Sequence, residues 1–300
     1  MKILIIGSKG FIGSHCVKHF ARKHEVWQCD IILDYNTPRY FIIDPAVCNY
    51  NSIFEHNAFD LCINCSGAAS VPYSLSNPLI DFNLNTANVI NILEAIRTHN
   101  SSCRFLNLSS AAVYGNPDVL PVSIGTKTSP ISPYGFHKMM AEQICEEYYK
   151  FWNVRNCSVR IFSAYGPGLK KQLFWDLFNK LNAGDRVELW GTGNESRDFI
   201  YIEDLVKSLD LIVNNCPFTA SVINVANGKQ ITTSQIAHII EELFQNQKTI
   251  TFNGKVRPGD PCNWEADISQ IKEWGYAPSV DIEQGISNYH QWLRQENILA

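Results

Sequence analysis

The chain has 300 residues, 45% of them apolar and 18% charged, with a formal net charge of −4. That composition describes a globular protein with a substantial core, and the negative charge argues against a surface for nucleic acid or anionic membrane. The first apolar run is only four residues long before a glycine and no segment approaches a membrane span, so a cytoplasmic location is expected.

Lys2–Ile6 is a short β-branched run that predicts a buried strand. The turn Gly7-Ser8-Lys9-Gly10-Phe11-Ile12-Gly13 follows, and Ser14–Lys23 reads as a helix. Strand, glycine turn and helix in this order suit a dinucleotide pyrophosphate, because glycines allow a tight turn and close backbone approach. Gly7, Gly10, Phe11, Ile12 and Gly13 are therefore candidate cofactor contacts. Glu25–Cys29 predicts a second strand ending at Asp30. A carboxylate there would bond ribose hydroxyls and repel a 2′-phosphate, favouring NAD. Lys9 could attract the same phosphate, which keeps NADP open.

Tyr40–Ile43 predicts a third strand, with Asp44 at its end where adenine would lie. Phe59–Asn64 predicts a fourth, running into the small residues Ser66–Ala69. Ten cysteines are scattered through the chain, and we expect reduced, buried thiols. Cys62 and Cys65 fit a C-x-x-C pattern, but positions three apart on a strand face opposite sides, so neither metal nor redox chemistry is expected. Asn85–Arg97 reads as a helix and Arg104–Leu108 as a fifth strand, with Ser109–Gly115 leaving its carboxyl end. Alternating strands and helices predict an α/β fold with a doubly wound parallel sheet and a site at the strands' carboxyl ends.

Residues 136–150 have helical periodicity, and Tyr134 and Lys138 stand four apart, so they share one helix face. A free phenol titrates near ~10, and a fixed lysine charge beside it favours the phenolate. The pair is a candidate acid/base for a hydroxyl. Downstream, Gln172–Leu181 reads as a helix, Val187–Trp190 as a strand, Val222–Ala226 as a strand and Thr233–Phe244 as a helix. We expect a dinucleotide-binding domain over 1–163 plus about 198–226, with the segment 198–214 returning to the main sheet. A smaller α+β substrate-binding domain is expected over 164–197 plus 227–300.

These segments, taken together, resemble the extended short-chain dehydrogenase/reductase family in its nucleotide-sugar epimerase/dehydratase branch. The resemblance rests on Gly7–Gly13, Asp30, Ser66–Ala69, Ser110–Gly115, Tyr134 with Lys138, Arg160–Gly168, Arg197–Asp204 and Arg257–Asp260, in that order. It implies catalytic roles for Ser110, Tyr134 and Lys138, with Tyr134 and Lys138 also touching the cofactor. It implies a cofactor contact at Asn85, for which a helix cap is the other reading. It implies substrate contacts at Ser74, Ser110, Ser163, Arg197 and Arg257, the arginines as diphosphate clamps. Ala111 and Ala112 stand where the branch's dehydratases carry an acid pair, which argues against dehydration. Ser163 replaces a frequent asparagine, for which Lys170 and Lys171 are candidate substitutes. The expected activity is NAD-dependent 4-epimerisation of a nucleotide-diphosphate sugar. A 4-keto-sugar reductase and a non-catalytic dinucleotide-binding protein are the alternatives, and a homodimer is expected by resemblance.

Overall fold

Each residue of the first strand chooses a side of the molecule. Ile3 and Ile5 belong to one apolar core and Leu4 and Ile6 to another, and all four are essentially inaccessible. A strand buried on both faces belongs in a parallel sheet covered by helices on each side. A computed structural model describes residues 1–245, 247–255, 259 and 261–298 of the chain.

The strands are β1 Lys2–Ile6, β2 Glu25–Asp30, β3 Tyr40–Ile42, β4 Leu61–Asn64, β5 Arg104–Ser110 and β6 Asn156–Ile161. They continue with β7 Ser163–Tyr165, β8 Arg186–Leu189, β9 Ser196–Tyr201, β10 Thr219–Val225, β11 Gln230–Thr232 and β12 Thr249–Phe252. The first helices are α1 Phe11–Phe20, α2 Asn51–Glu55, α3 Val71–Ser76, α4 Pro78–Phe82, α5 Asn88–His99 and α6 Pro133–Trp152. The later ones are α7 Gln172–Ala183, α8 Ile202–Asn215, α9 Thr233–Leu243, α10 Ser269–Glu273 and α11 Ile282–Gln295.

The main sheet is parallel throughout, in the order β10-β6-β5-β4-β1-β2-β3. The order reverses beside β1, so the carboxyl ends of β1 and β4 open a crevice at the switch point. α1 packs with α8, and α5 packs with α6. A three-stranded sheet, β11-β9-β7, and the pair β12-β8 make the smaller part. The expectation for segment 198–214 is corrected here. β9 pairs with β7 and β11, outside the main sheet, while α8 does return to pack on α1.

Helix boundaries moved where caps override periodicity. α6 starts three residues before the apolar pattern because Ser132 accepts the Gly135 N–H and Pro133 fills the first turn. It ends at Asn153, in the left-handed region at φ 55°. All ten cysteines are free thiols, seven of them buried. Cys62 lies in one core and Cys65 packs against the other. Among the described residues no helix is long and apolar enough to cross a membrane.

Candidate active site

The glycine turn is as tight as backbone allows. A Cβ on Gly13 would sit 2.0 Å from the Gly7 carbonyl oxygen, and Gly7 itself has φ +76°. Even alanine at either position would force the turn open. α1 begins at Phe11, three residues earlier than its periodicity suggests, and no side chain caps it. The first-turn N–H groups of a ten-residue helix therefore face the turn, as an anionic pyrophosphate requires. Ser8 Oγ, buried in the same turn, has no hydrogen-bond partner.

Asp30, at the end of β2, accepts the N–H of Lys9 at 2.8 Å and those of Ile31 and Ile32. Lys9 is not free to meet a phosphate: its ammonium is bonded to Asp34 and lies near Thr37. Asp34 is held well below the usual carboxylate range, chiefly by that lysine. Asp44 follows β3, is exposed, and uses one oxygen to accept the Ala46 N–H.

Asn85 is not a helix cap. It lies inside a single π-helical turn, Asn83–Ala87, between α4 and α5. It is 1% exposed, yet both polar atoms of its amide lack partners. Its Oδ1 would lie 2.6 Å from a Cβ on Gly67, and Lys138 Nζ 3.5 Å from the same point. A buried amide left open beside a small-residue loop is what a bound cofactor would satisfy. The residues present therefore fit a dinucleotide.

Ser110, Tyr134 and Lys138 converge at the carboxyl end of β5. Ser110 accepts the Ala112 N–H as it caps a 3₁₀ turn, Ala111–Tyr114. Gly135 lets α6 reach this turn, since a Cβ there would sit 2.5 Å from the Ala112 carbonyl oxygen. Lys138 Nζ donates to the Leu108 carbonyl at 2.9 Å and stands 6.0 Å from the Tyr134 ring centroid. Burial pushes Tyr134 up to about 12, with the Ser110 hydrogen bond opposing it and Asp81 reinforcing it. Burial pushes Lys138 down to about 8, against the nearby charges of Asp81 and Glu142. A buried phenol and a buried ammonium one helical turn apart, the phenol beside a serine hydroxyl, are an arrangement suited to proton transfer.

The other sequence-derived residues are spread wider. Ser163, half-buried, opens β7 opposite Phe199 of β9. Arg197 donates to the Ser196 and Cys262 carbonyls and lies over the Trp264 ring at 5.5 Å. Ser74 is fully buried and its hydroxyl donates to the Val71 carbonyl, so only its oxygen lone pairs are left for a sugar. Arg257 lies outside the described residues. Lys170 lies over Trp292, while Lys171, beside Gln172 at the start of α7, is near enough to Lys138 to oppose its charge. Sequence reasoning missed Asp81, His137 and Ser8. Among the described residues no cluster of ligating side chains could hold a metal.

Residues 3–226 match the profile of the NAD dependent epimerase/dehydratase family. A UDP-glucose epimerase of Bacillus subtilis designated YtcB, itself uncharacterized, is 26% identical over 98% of both chains. UDP-glucuronic acid decarboxylase 1 of Xenopus tropicalis is 28% identical over 98% of this chain and 72% of its own. The structure of a UDP-N-acetylglucosamine 4-epimerase from Methanobrevibacter ruminantium, in complex with UDP-N-acetylmuramic acid, superposes with a TM-score of 0.88. It is 25% identical and covers 98% of each chain.

Proposed function

The chain belongs to the NAD-dependent epimerase/dehydratase family, and from that premise we propose that it is a nucleotide-sugar 4-epimerase that retains NAD between turnovers. One observation carries the reading. Ser110, Tyr134 and Lys138 meet beside Ala111 and Ala112, whose side chains offer neither an acid nor a base to expel water.

Bound NAD supplies the hydride acceptor and donor at the sugar's C4. The Tyr134 phenolate takes the 4-hydroxyl proton, and Ser110 hydrogen-bonds the same oxygen as it becomes a carbonyl. Lys138, anchored on the Leu108 carbonyl, holds a positive charge by the phenol so that its deprotonated form is favoured. The keto sugar then turns over and takes the hydride back on the other face of C4, while Tyr134 returns the proton to the same oxygen. We place Gly7, Gly10, Phe11, Ile12, Gly13, Asp30, Asp44 and Asn85 against the cofactor. Ser163, Arg197 and Arg257 are placed on the sugar diphosphate. In this reading 1–163 plus about 198–226 hold the cofactor and the remainder caps the sugar.

Asp30 and the engaged Lys9 favour NAD over NADP. A 2′-phosphate would meet a carboxylate and find its candidate cation already bonded to Asp34. Denaturing the freshly purified chain and chromatographing the released nucleotide is expected to give about one NAD per chain. An empty site refilled preferentially by NADPH would transfer the reading to a 4-keto-sugar reductase.

Leu79 and Phe82 of α4, Ile90 of α5, and Phe136 and Met140 of α6 are all exposed. Apolar side chains gathered on neighbouring packed helices suit a second copy of the chain. Gel filtration is expected to give about twice the 34.0 kDa chain mass, and a monomer at micromolar concentration would remove the dimer.

A further inference from the structure

A line of side-chain hydrogen bonds runs through the loop that follows β4, and the proposed reaction does not use it. Tyr50 Oη donates to Asn88 Oδ1 at 2.8 Å, and Asn88 Nδ2 donates to Ser66 Oγ at 2.8 Å. The Ser66 hydroxyl donates to Asn64 Oδ1, and Asn64 Nδ2 donates to Asn107 Oδ1 at 3.3 Å. Tyr50, Asn64, Asn88 and Asn107 are all buried. Every donor in the line points the same way, and one contact fixes that direction. The Ser66 backbone N–H also meets Asn64 Oδ1, at 3.2 Å, and a backbone N–H can only donate. The Asn64 amide must therefore turn its oxygen to Ser66 and its nitrogen to Asn107. Bonds aligned in this way polarise and strengthen one another.

Ser66, the middle link, sits where the cofactor-facing pieces meet. A Cβ on Gly7 would lie 2.7 Å from the Ser66 nitrogen, so the glycine turn rests on Ser66. A Cβ on the next residue, Gly67, would lie 2.6 Å from Asn85 Oδ1. Asn88 begins α5 directly after the π turn that carries Asn85. On its other side that turn is tied to α6. Thr86 Oγ1 donates to the His137 carbonyl at 2.9 Å, and Asp81 Oδ2, from α4, lies 2.6 Å from His137 Nδ1.

We propose that Asn64, Ser66 and Asn88 are positioning residues, a polar brace that holds the glycine turn and the Asn85 amide at the spacing that retains NAD. The proposal rests on the reading of this crevice as the NAD site. Room for a cofactor would be met by alanine at position 66, as it is at Ala68 and Ala69. The hydroxyl adds one donor and one accepting oxygen, and both are in use. Asn64 ties the loop to the sheet, and Asn88 ties it to the helix that continues from Asn85. Cutting the Asn88 link leaves the loop joined to the sheet but free to drift from the π turn.

The test is exchange of radiolabelled NAD from the loaded chain, followed well below the melting temperature of every variant. Ser66→Ala and Asn88→Ala are each expected to speed exchange about tenfold, the scale of one buried hydrogen bond. The double variant should be little faster than either single one, because both changes cut the same line. Asn100→Ala removes the bond from Asn100 Nδ2 to the Phe59 carbonyl at the far end of α5. It should lower the melting temperature and leave exchange native. Native exchange in folded Ser66→Ala or Asn88→Ala, even with a lowered melting temperature, would make the brace merely structural and overturn the proposal. Exchange quickened as much by Asn100→Ala would trace the effect to stability and overturn it as well. So would a double variant that multiplies the two single effects, since the residues would then act apart. The exchange uses no sugar. A chain that exchanges NAD as described but does not epimerise would sink the functional reading and leave this inference standing.

Discussion

Tyr134→Phe is expected to lower kcat for 4-epimerisation by about a thousandfold while the chain stays folded and keeps its nucleotide. A positioned general acid/base contributes about 10²–10⁴ in rate. Among the described residues of the site no other side chain is assigned to take over the proton. A serine hydroxyl is too weak an acid to act alone, and Lys138 is fixed on the Leu108 carbonyl. Phenylalanine keeps the buried ring, so the packing of α6 on the 3₁₀ turn should hold. In the cofactor-free chain burial holds Tyr134 at about 12 and Lys138 at about 8. Below about pH 8 the lysine is charged and can support a phenolate; above it that support is lost. The native enzyme should therefore lose kcat on the alkaline side as Lys138 deprotonates. The check is steady-state turnover of a UDP-sugar across pH, with released nucleotide measured in parallel. A phenylalanine variant within about tenfold of native turnover would remove Tyr134 from its role.

What the sequence displayed of this site, it displayed locally. Gly7–Gly13 followed by Asp30 needs only the order strand, turn, helix, strand, and Tyr134 with Lys138 needs only the spacing of one helical turn. The missed pieces are separated in sequence or hidden by charge. Asp81 and His137 lie 56 residues apart, so nothing local joins them. β6 and β9 lack a clean apolar pattern because Arg160 and Asp198 interrupt them, yet both residues are buried. Arg160 is tolerated because Glu142 pairs with it. Asp198 is tolerated because the N–H groups of Asn227, Gly228 and Ala266 point at its carboxylate. Burial still pushes Asp198 up to about 6, with those three donors opposing. The π turn was read as ordinary helix because five helical-looking residues do not reveal which carbonyl each N–H will choose. In each case the deciding partner came from another part of the fold, which a single-sequence pattern does not contain.

Glu142→Gln is expected to destabilise the chain by about 3–5 kcal/mol, the cost of stripping one partner from a buried ion pair. Glu142 lies one turn beyond Lys138 on α6. It accepts from Arg160 Nη2 at 2.7 Å and Nε at 3.0 Å, and from Ser109 Oγ at 2.6 Å. The Glu142 and Arg160 side chains are 9% and 8% exposed. Burial alone would push Arg160 down, but the Glu142 carboxylate outweighs it and holds the guanidinium above its ordinary value. Arg160 also donates to Tyr114 Oη, which donates in turn to Asn224. An amide in place of the carboxylate leaves a buried cation without a counter-charge and turns a donor toward donors. The melting temperature should fall by roughly 5–8 °C for a chain of this size. Glu142→Leu combined with Arg160→Met removes both charges, so it should recover most of that loss. Thermal denaturation of the three proteins separates a charge effect from a packing effect. If the single variant melts within about 2 °C of the native chain, Arg160 finds its counter-charge elsewhere. If the double variant is as unstable as the single, packing rather than charge holds α6 on β5 and β6. The catalytic consequence follows from position: Ser109 precedes Ser110, and Glu142 shares a helix face with Lys138. A loosened pair should therefore depress kcat at temperatures where the chain is still folded.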